Sequence, residues 1–183
     1  MYQLAAFVVI SASLVYISRA SLKSPRSHGF YRFFAWECIL ALFLLNLAVW
    51  FQDPFSAHQL ISWFLLILCI VPLVFGVLSL TSQGKAASQR AEDTALLSFE
   101  KTTVLITSGI YHYIRHPLYS SLLLLAWGIF FKAPSWPGVL LALAASLFLF
   151  ATARADEAEC IRYFGAPYQE FMKHTRRFIP FVF

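Results

Sequence analysis

Three long apolar runs constrain this chain more than any other feature of its sequence. A transmembrane helix needs about 20 mostly apolar residues, and the runs Tyr2–Ser18, Phe33–Phe51 and Leu60–Leu80 meet this requirement. Of the 183 residues, 60% are hydrophobic and 13% are charged, whereas soluble domains have about 45–50% and about 25%. These values exclude a soluble globular protein and a disordered chain. The sequence therefore predicts an all-α polytopic membrane protein with a single domain, residues 1–183.

Two shorter apolar segments follow, Pro117–Phe131 and Pro137–Ala153. The second is at the lower limit for a span. The first, at 1.5 Å per residue, reaches only about 22 Å across a hydrocarbon core of about 30 Å. It is therefore either a short span or a re-entrant arm buried in protein. Because the link 132–136 is short, the two segments are predicted to form an antiparallel helical hairpin.

The basic residues give the number of crossings and the orientation. With five spans, every Lys and Arg except Lys132 falls on one side of the membrane. The positive-inside rule makes that side cytoplasmic and puts the N-terminus outside. The first run is followed by its basic cluster, which is typical of an N-out anchor rather than a cleaved signal peptide. The net charge of +5 is explained in this way without nucleic acid, and the orientation suits a bacterial inner membrane or the endoplasmic reticulum.

A cluster of polar residues precedes the fourth segment. Arg115 and His116 stand directly before Pro117, and proline is favoured at the first position of a helix. Free N–H groups, the positive end of the helix dipole and the guanidinium then converge, which makes an anion site. Tyr119 lies within the first turn and can present its hydroxyl there. The alternative is interfacial anchoring, since Arg, His and Tyr commonly occupy membrane boundaries.

A second cluster, Asp156-Glu157-Ala158-Glu159, follows the fifth segment. Helical spacing places Glu157 on the apolar face of its helix and puts Asp156 and Glu159 on the flanks. A buried carboxylate needs a partner, which can be Arg115 or a bound cation. The alternative is a set of acidic residues that only complements the helix dipole. Further on, Pro167 is predicted to start a short amphipathic helix that runs to about His174.

These motifs resemble those of the isoprenylcysteine carboxyl methyltransferase and phospholipid N-methyltransferase superfamily of integral membrane enzymes. The resemblance covers residues 81–183, and the first three spans match only in hydropathy. Asp156 stands where the family usually has Glu. The matching segments are Gly109 with Tyr111, Arg115-His116-Pro117-Leu118-Tyr119, Asp156-Glu157, Phe164-Gly165-Ala166-Pro167-Tyr168 and Arg177-Phe178-Ile179-Pro180.

The resemblance implies a methyltransferase that uses S-adenosylmethionine and acts on a lipophilic small molecule or lipidated acceptor among membrane lipids. Residues 1–80 would be a three-helix scaffold, and residues 81–183 the cofactor-binding and catalytic part. The methyl acceptor, a carboxylate, an amine or a thiol, stays open. Arg177 and Glu157 are the candidate catalytic residues, Arg177 by orienting an anionic acceptor. The candidate cofactor-binding residues are Leu105, Ile106, Gly109, Tyr111, Arg115, His116, Tyr119, Asp156 and Glu157.

Transfer of a methyl group from a sulfonium is a direct in-line displacement, which needs proximity and alignment rather than a covalent nucleophile or a metal. We find no metal-ligand spacing in the sequence, and the three cysteines are expected to be packing residues. Two alternatives remain. One is a membrane reductase of related architecture that uses NADPH. The other is a non-catalytic membrane module that binds a lipid or a partner.

Overall fold

The computed structural model describes residues 2–83 and 104–180. Much of the long loop predicted between the third and fourth segments, including Lys85, Arg90 and Lys101, lies outside the described residues. Seven α-helices are described: α1 (Tyr2–Leu22), α2 (His28–Asn46), α3 (Ala57–Leu68), α4 (Ile70–Gln83), α5 (Pro117–Phe130), α6 (Trp136–Phe164) and α7 (Ala166–His174). Short 3₁₀ turns cover Leu47–Val49 and Gly109–His112.

Four membrane-length apolar helical segments are found among the described residues, which confirms the polytopic all-α architecture. They are Tyr2–Leu22, His28–Val49, Ala57–Ser82 and Trp136–Phe164. The third combines α3 and α4, which are interrupted at Cys69. The interruption has a cause in the sequence, because Pro72 has no N–H to donate to the carbonyl of Leu68. Helix α5 is the fifth, shorter apolar helix.

Helix α5 has 14 residues and is therefore about 21 Å long. Carbonyls at its C-terminal end and in the turn that follows accept hydrogen bonds from side chains of other helices. Asn46 Nδ2 donates to Ile129 O at 3.0 Å, and Gln59 Nε2 donates to Lys132 O at 3.1 Å. His58 Nδ1 lies 3.1 Å from Phe131 O. These side chains explain how a helix this short can end among apolar neighbours, where an unsatisfied carbonyl is costly.

Lys132, the single basic residue predicted on the opposite side, is buried rather than displayed at an interface. Its side chain is 1% exposed. The ammonium donates to Gln59 Oε1 at 2.9 Å and lies 3.2 Å from the ring centroid of Trp63. A hydrogen bond and an aromatic face thus replace water around this charge.

The helices pack through small residues. Ala35 of α2, Ala126 of α5 and Ala142 and Ala145 of α6 are fully buried, as is typical of membrane helices that approach closely. Gly128 of α5 lies against Leu66 of α3, and a Cβ at Gly128 would be 2.9 Å from Leu66 Cδ2. The predicted hairpin of α5 and α6 is present, and Trp127 Nε1 of α5 donates to Ser146 Oγ of α6 at 3.2 Å.

The C-terminal ends of α4 and α6 and the N-terminal ends of α2 and α5 meet at one end of the bundle, which we call the basic end because Arg19, Arg26 and Arg115 lie there. Gly165, with φ +66°, ends α6 and turns the chain into α7. Pro167 occupies the first turn of α7, and α7 ends at His174 as predicted.

Candidate active site

The candidate site lies at the basic end, where the segment before α5 runs beside the chain after α7. Ile114 and Arg176 form an isolated parallel bridge. Arg115 N–H donates to Arg176 O at 2.8 Å, and His116 N–H donates to Arg177 O at 3.1 Å. These backbone bonds hold Arg115 and Arg177 close enough that both side chains reach Glu157 of α6.

Glu157 of α6 joins the two arginines. Its Oε1 accepts from Arg115 Nε at 3.0 Å and from Arg115 Nη2 at 2.9 Å. Arg177 Nε donates to the same oxygen at 3.1 Å, and Arg177 Nη2 donates to Oε2 at 2.8 Å. The Glu157 side chain is 7% exposed. The predicted pairing of this buried carboxylate with Arg115 is confirmed, and Arg177 is a second partner that the sequence did not indicate.

Arg115 also holds the end of α7. Its Nη1 donates to Met172 O at 3.3 Å and to Thr175 O at 2.5 Å. These are carbonyls at the C-terminal end of that helix, where a cation is favourable. Arg115 therefore connects α6, α7 and the start of α5 through one planar guanidinium.

Asp156 is the centre of a second set of polar contacts, with His116 directly before α5 and with Tyr119 in its first turn. His116 Nδ1 lies 3.4 Å from Asp156 Oδ2, and Tyr119 OH donates to the same oxygen at 3.2 Å. Cys160 Sγ lies 3.6 Å from Oδ1. Burial of His116 opposes its protonation, but the neighbouring Asp156 and Glu157 carboxylates outweigh burial and raise its pKa above the ordinary value. The site thus favours an imidazolium between two carboxylates.

A cavity opens beside these groups. Apolar side chains form much of its wall, and charged and phenolic side chains form the rest. It is lined by Leu80, Val104, Leu105, Ile106, Tyr111, Arg115, His116, Pro117, Leu118, Tyr119, Asp156, Glu159, Cys160, Phe164, Tyr168 and Phe171. Burial raises the pKa of Tyr168, so this phenol keeps its proton and can donate a hydrogen bond.

The structure brings most of the predicted cofactor residues together in this wall. They are Leu105, Ile106, Tyr111, Arg115, His116, Tyr119 and Asp156. Gly109 lies instead in a neighbouring groove with Phe75 and His112. Glu157 and Arg177 pair with each other next to the cavity but are not among its lining residues.

Other lining residues were missed by the sequence analysis. Glu159 and Cys160 are three and four residues after Asp156, so helical spacing alone places all three on one face. That signal was available in the sequence. Tyr168 and Phe171 of α7 carried a weaker signal, since an amphipathic helix has an apolar face but does not show what it covers.

The wall is suited to a zwitterionic ligand that also has an apolar ring system. His116 is 5% exposed, and its Nε2 lies 3.4 Å from Glu157 Oε1 while its Nδ1 faces Asp156. Carboxylates, a guanidinium and apolar side chains around one cavity suit a ligand that carries charges of both signs and an apolar ring system.

Comparison with known proteins gives the family of this chain. No curated protein and no solved structure matches the chain. The family model described as phospholipid methyltransferase matches residues 66–166. This region is more than half of the chain and contains α4, α5, α6 and most of the cavity wall. The chain therefore belongs to the phospholipid methyltransferase family of membrane methyltransferases.

Proposed function

We propose that this protein uses S-adenosylmethionine to methylate a lipophilic acceptor at the cytoplasmic surface of a membrane. The observation that carries the proposal is the cavity at the basic end, where the buried imidazole of His116, the carboxylate of Asp156 and an apolar wall meet. The family match supports a methyltransferase over a nicotinamide-dependent reductase or a non-catalytic module.

The residues of the cavity form three groups, and each group is suited to a different part of such a cofactor. The first N–H groups of α5 and the adjacent imidazole of His116 suit its carboxylate, because a helix N-terminus attracts anions. Asp156 suits its positive charges. Leu105, Ile106 and Tyr111 suit the adenine ring. S-adenosylmethionine, when bound, supplies a methyl group already activated by the sulfonium.

Glu157 and Arg177, the predicted catalytic residues, have complementary roles in this proposal. Glu157 accepts four hydrogen bonds from Arg115 and Arg177 and so fixes both guanidinium groups. Arg177 is 20% exposed, and its Cζ lies 5.0 Å from the ring centroid of Phe150. A charge held beside an apolar surface can orient the anionic group of an acceptor that approaches from the bilayer. The acceptor classes are a carboxylate, an amine and a thiol.

The remaining contribution of the chain is alignment and exclusion of water. Reaction between two groups held in line gains several kcal/mol from proximity, up to about 7–11 kcal/mol in favourable cases. Much of the cavity wall comes from α5, α6 and α7, and Arg115 ties these elements together through Glu157 and Thr175, which suits such positioning. The positive-inside rule supports an outside N-terminus and a cytoplasmic site, as in a bacterial inner membrane or the endoplasmic reticulum.

Calorimetric binding of S-adenosylhomocysteine to the detergent-purified protein tests the cofactor. We expect micromolar binding that is lost in His116→Ala. His112→Ala is the matched control, because His112 is exposed and lies in the neighbouring groove. Absence of binding by folded wild-type protein, repeated in lipid nanodiscs, would refute the cofactor assignment, and selective binding of NADPH would favour the reductase.

A further inference from the structure

Glu159 is a charged residue of the cavity wall that the proposed function does not yet use. It lies on the same face of α6 as Asp156 and Cys160, and all three line the cavity. Its side chain is 24% exposed, so part of the carboxylate remains accessible. The neighbouring acidic residue Glu157, by contrast, is 7% exposed and is held by two arginines.

Glu159 is oriented by a residue far away in the sequence. His28 N–H, at the start of α2, donates to Glu159 Oε1 at 2.9 Å. His28 Nδ1 lies 2.5 Å from Glu159 Oε2. His28 is fully buried, and Ser27 caps its helix by accepting from Phe30 N–H at 3.2 Å. A backbone group and a ring at a helix N-terminus thus fix the carboxylate in position and orientation.

The geometry leaves this carboxylate able to bind a ligand. A carboxylate has about four acceptor sites, and His28 occupies one on each oxygen. The remaining acceptor sites of Glu159 can face a ligand, because this side chain lines the cavity. His28 lies outside the family match of residues 66–166. The helical pair α1–α2 is therefore not only a scaffold, because it supplies the residue that orients this part of the wall.

We propose that Glu159 binds the sulfonium end of the methyl donor and that His28 is the positioning residue that holds Glu159 toward the cavity. This inference rests on the proposed function, since it assumes that the cavity binds the donor. If Glu159 only capped α2, it would stabilise that helix but would not favour a charged ligand over a neutral one.

The test compares two ligands that differ in charge. S-adenosylmethionine carries the sulfonium charge, and S-adenosylhomocysteine lacks it. The dissociation constant of S-adenosylhomocysteine is divided by that of S-adenosylmethionine, and this ratio is measured for wild type, Glu159→Gln and the control Glu170→Gln. Glu170 is an exposed carboxylate on α7 paired with Lys173. We expect Glu159→Gln to weaken the preference for S-adenosylmethionine about ten-fold, the loss of one charge-assisted interaction. Glu170→Gln should leave the ratio unchanged.

His28 variants test the positioning. His28→Ala should lower the same ratio, and His28→Asn, whose amide nitrogen can replace Nδ1 as a donor, should restore most of it. In the Glu159→Gln background, His28→Ala should have no further effect on the ratio. If Glu159→Gln does not fold, His28→Ala carries the test, because it leaves the carboxylate in place.

The outcomes separate the two proposals. Binding of both ligands by wild type, with a ratio that Glu159→Gln and His28→Ala leave unchanged, overturns the role of Glu159 and leaves the proposed function standing. An equal loss of affinity for both ligands also overturns the role of Glu159, because replacement of a purely structural residue would have this effect. Failure of folded wild-type protein to bind either ligand overturns the proposed function and this inference together.

Discussion

Replacement of Glu157 by glutamine tests whether the ion pairs at the basic end stabilise the fold. Oε1 of Glu157 accepts three hydrogen bonds, and Oε2 accepts one, from Arg177 Nη2 at 2.8 Å. The amide oxygen of glutamine would take the place of Oε1, because more donors converge there. The amide NH₂ would then face Arg177 Nη2, donor against donor. Two guanidinium groups would also lose their shared counter-charge.

The expected loss of stability follows from the burial of the partners. Removal of one partner of a buried ion pair costs about 3–5 kcal/mol, because a buried charge is left uncompensated. Arg115 is 8% exposed and cannot turn to solvent, whereas Arg177 is 20% exposed and can do so in part. We therefore expect Glu157→Gln to lower the free energy of unfolding by about 3–5 kcal/mol. Arg177→Gln, which leaves the Arg115 pair intact, should cost less, about 1–2 kcal/mol.

Both losses can be measured by SDS titration in mixed micelles with tryptophan fluorescence as the signal. Glu170→Gln is the matched control, since it removes an equal charge from an exposed pair on α7. The double variant Glu157→Gln with Arg177→Gln should cost less than the sum of the single variants, because the two side chains interact directly. A Glu157→Gln protein as stable as Glu170→Gln would refute the reasoning.

Three further predictions concern other parts of the molecule. The raised pKa of His116 favours its protonated form in the folded protein, so its contribution to stability is complete below the unfolded pKa of about 6.5. The contribution is lost as the pH rises through the folded pKa, and the difference in unfolding free energy between wild type and His116→Gln should therefore shrink from pH 5.5 to pH 9. Asn46→Leu leaves the buried carbonyl of Ile129 without its 3.0 Å bond and should cost about 1–2 kcal/mol in the SDS titration. Gly128→Ala places a Cβ 2.9 Å from Leu66 Cδ2 and should cost about 1–3 kcal/mol in the same assay, whereas an unchanged stability would show that α3 and α5 can separate freely.

The parts of the fold that depend on composition and local pattern were predictable from the sequence. Apolar length located the membrane helices, and the short link placed α5 and α6 side by side. The helical face of Glu157 predicted a buried carboxylate with a cationic partner, and Arg115 is that partner. Each of these inferences uses residues within one helix or at its end, where the spacing of 3.6 residues per turn is a reliable guide.

The features that escaped prediction depend on contacts between distant parts of the chain. The choice of Arg177 as second partner of Glu157 depends on the parallel bridge between Ile114 and Arg176, which no local pattern indicates. The pairing of His28 with Glu159 joins residues that are 131 positions apart. His28 stands after a serine cap and reads as an ordinary residue at a helix start.

The nature of the short fifth segment was also beyond the sequence. Its length left two alternatives open, a short span and a re-entrant arm. The structure explains its stability through Asn46, His58 and Gln59, which lie on α2 and α3 and bond to the last carbonyls of α5 or of the turn after it. In the sequence these three residues are isolated polar residues near the ends of apolar runs. Only the packing of the helices shows which carbonyls they bond.

These distant caps also bear on the geometry of the site. A shift of α5 by one residue relative to its neighbours moves it about 1.5 Å along its axis and turns it by about 100°. Either change would disrupt the Tyr119–Asp156 bond of 3.2 Å, which joins the first turn of α5 to α6. The caps at the far end of α5 and the contact of Gly128 with Leu66 oppose both movements, because each specifies one register. The polar contacts at the basic end therefore depend on side chains that pack at the other end of α5. This dependence gives a structural reason for Asn46 and Gln59, which are buried polar residues of the second and third spans.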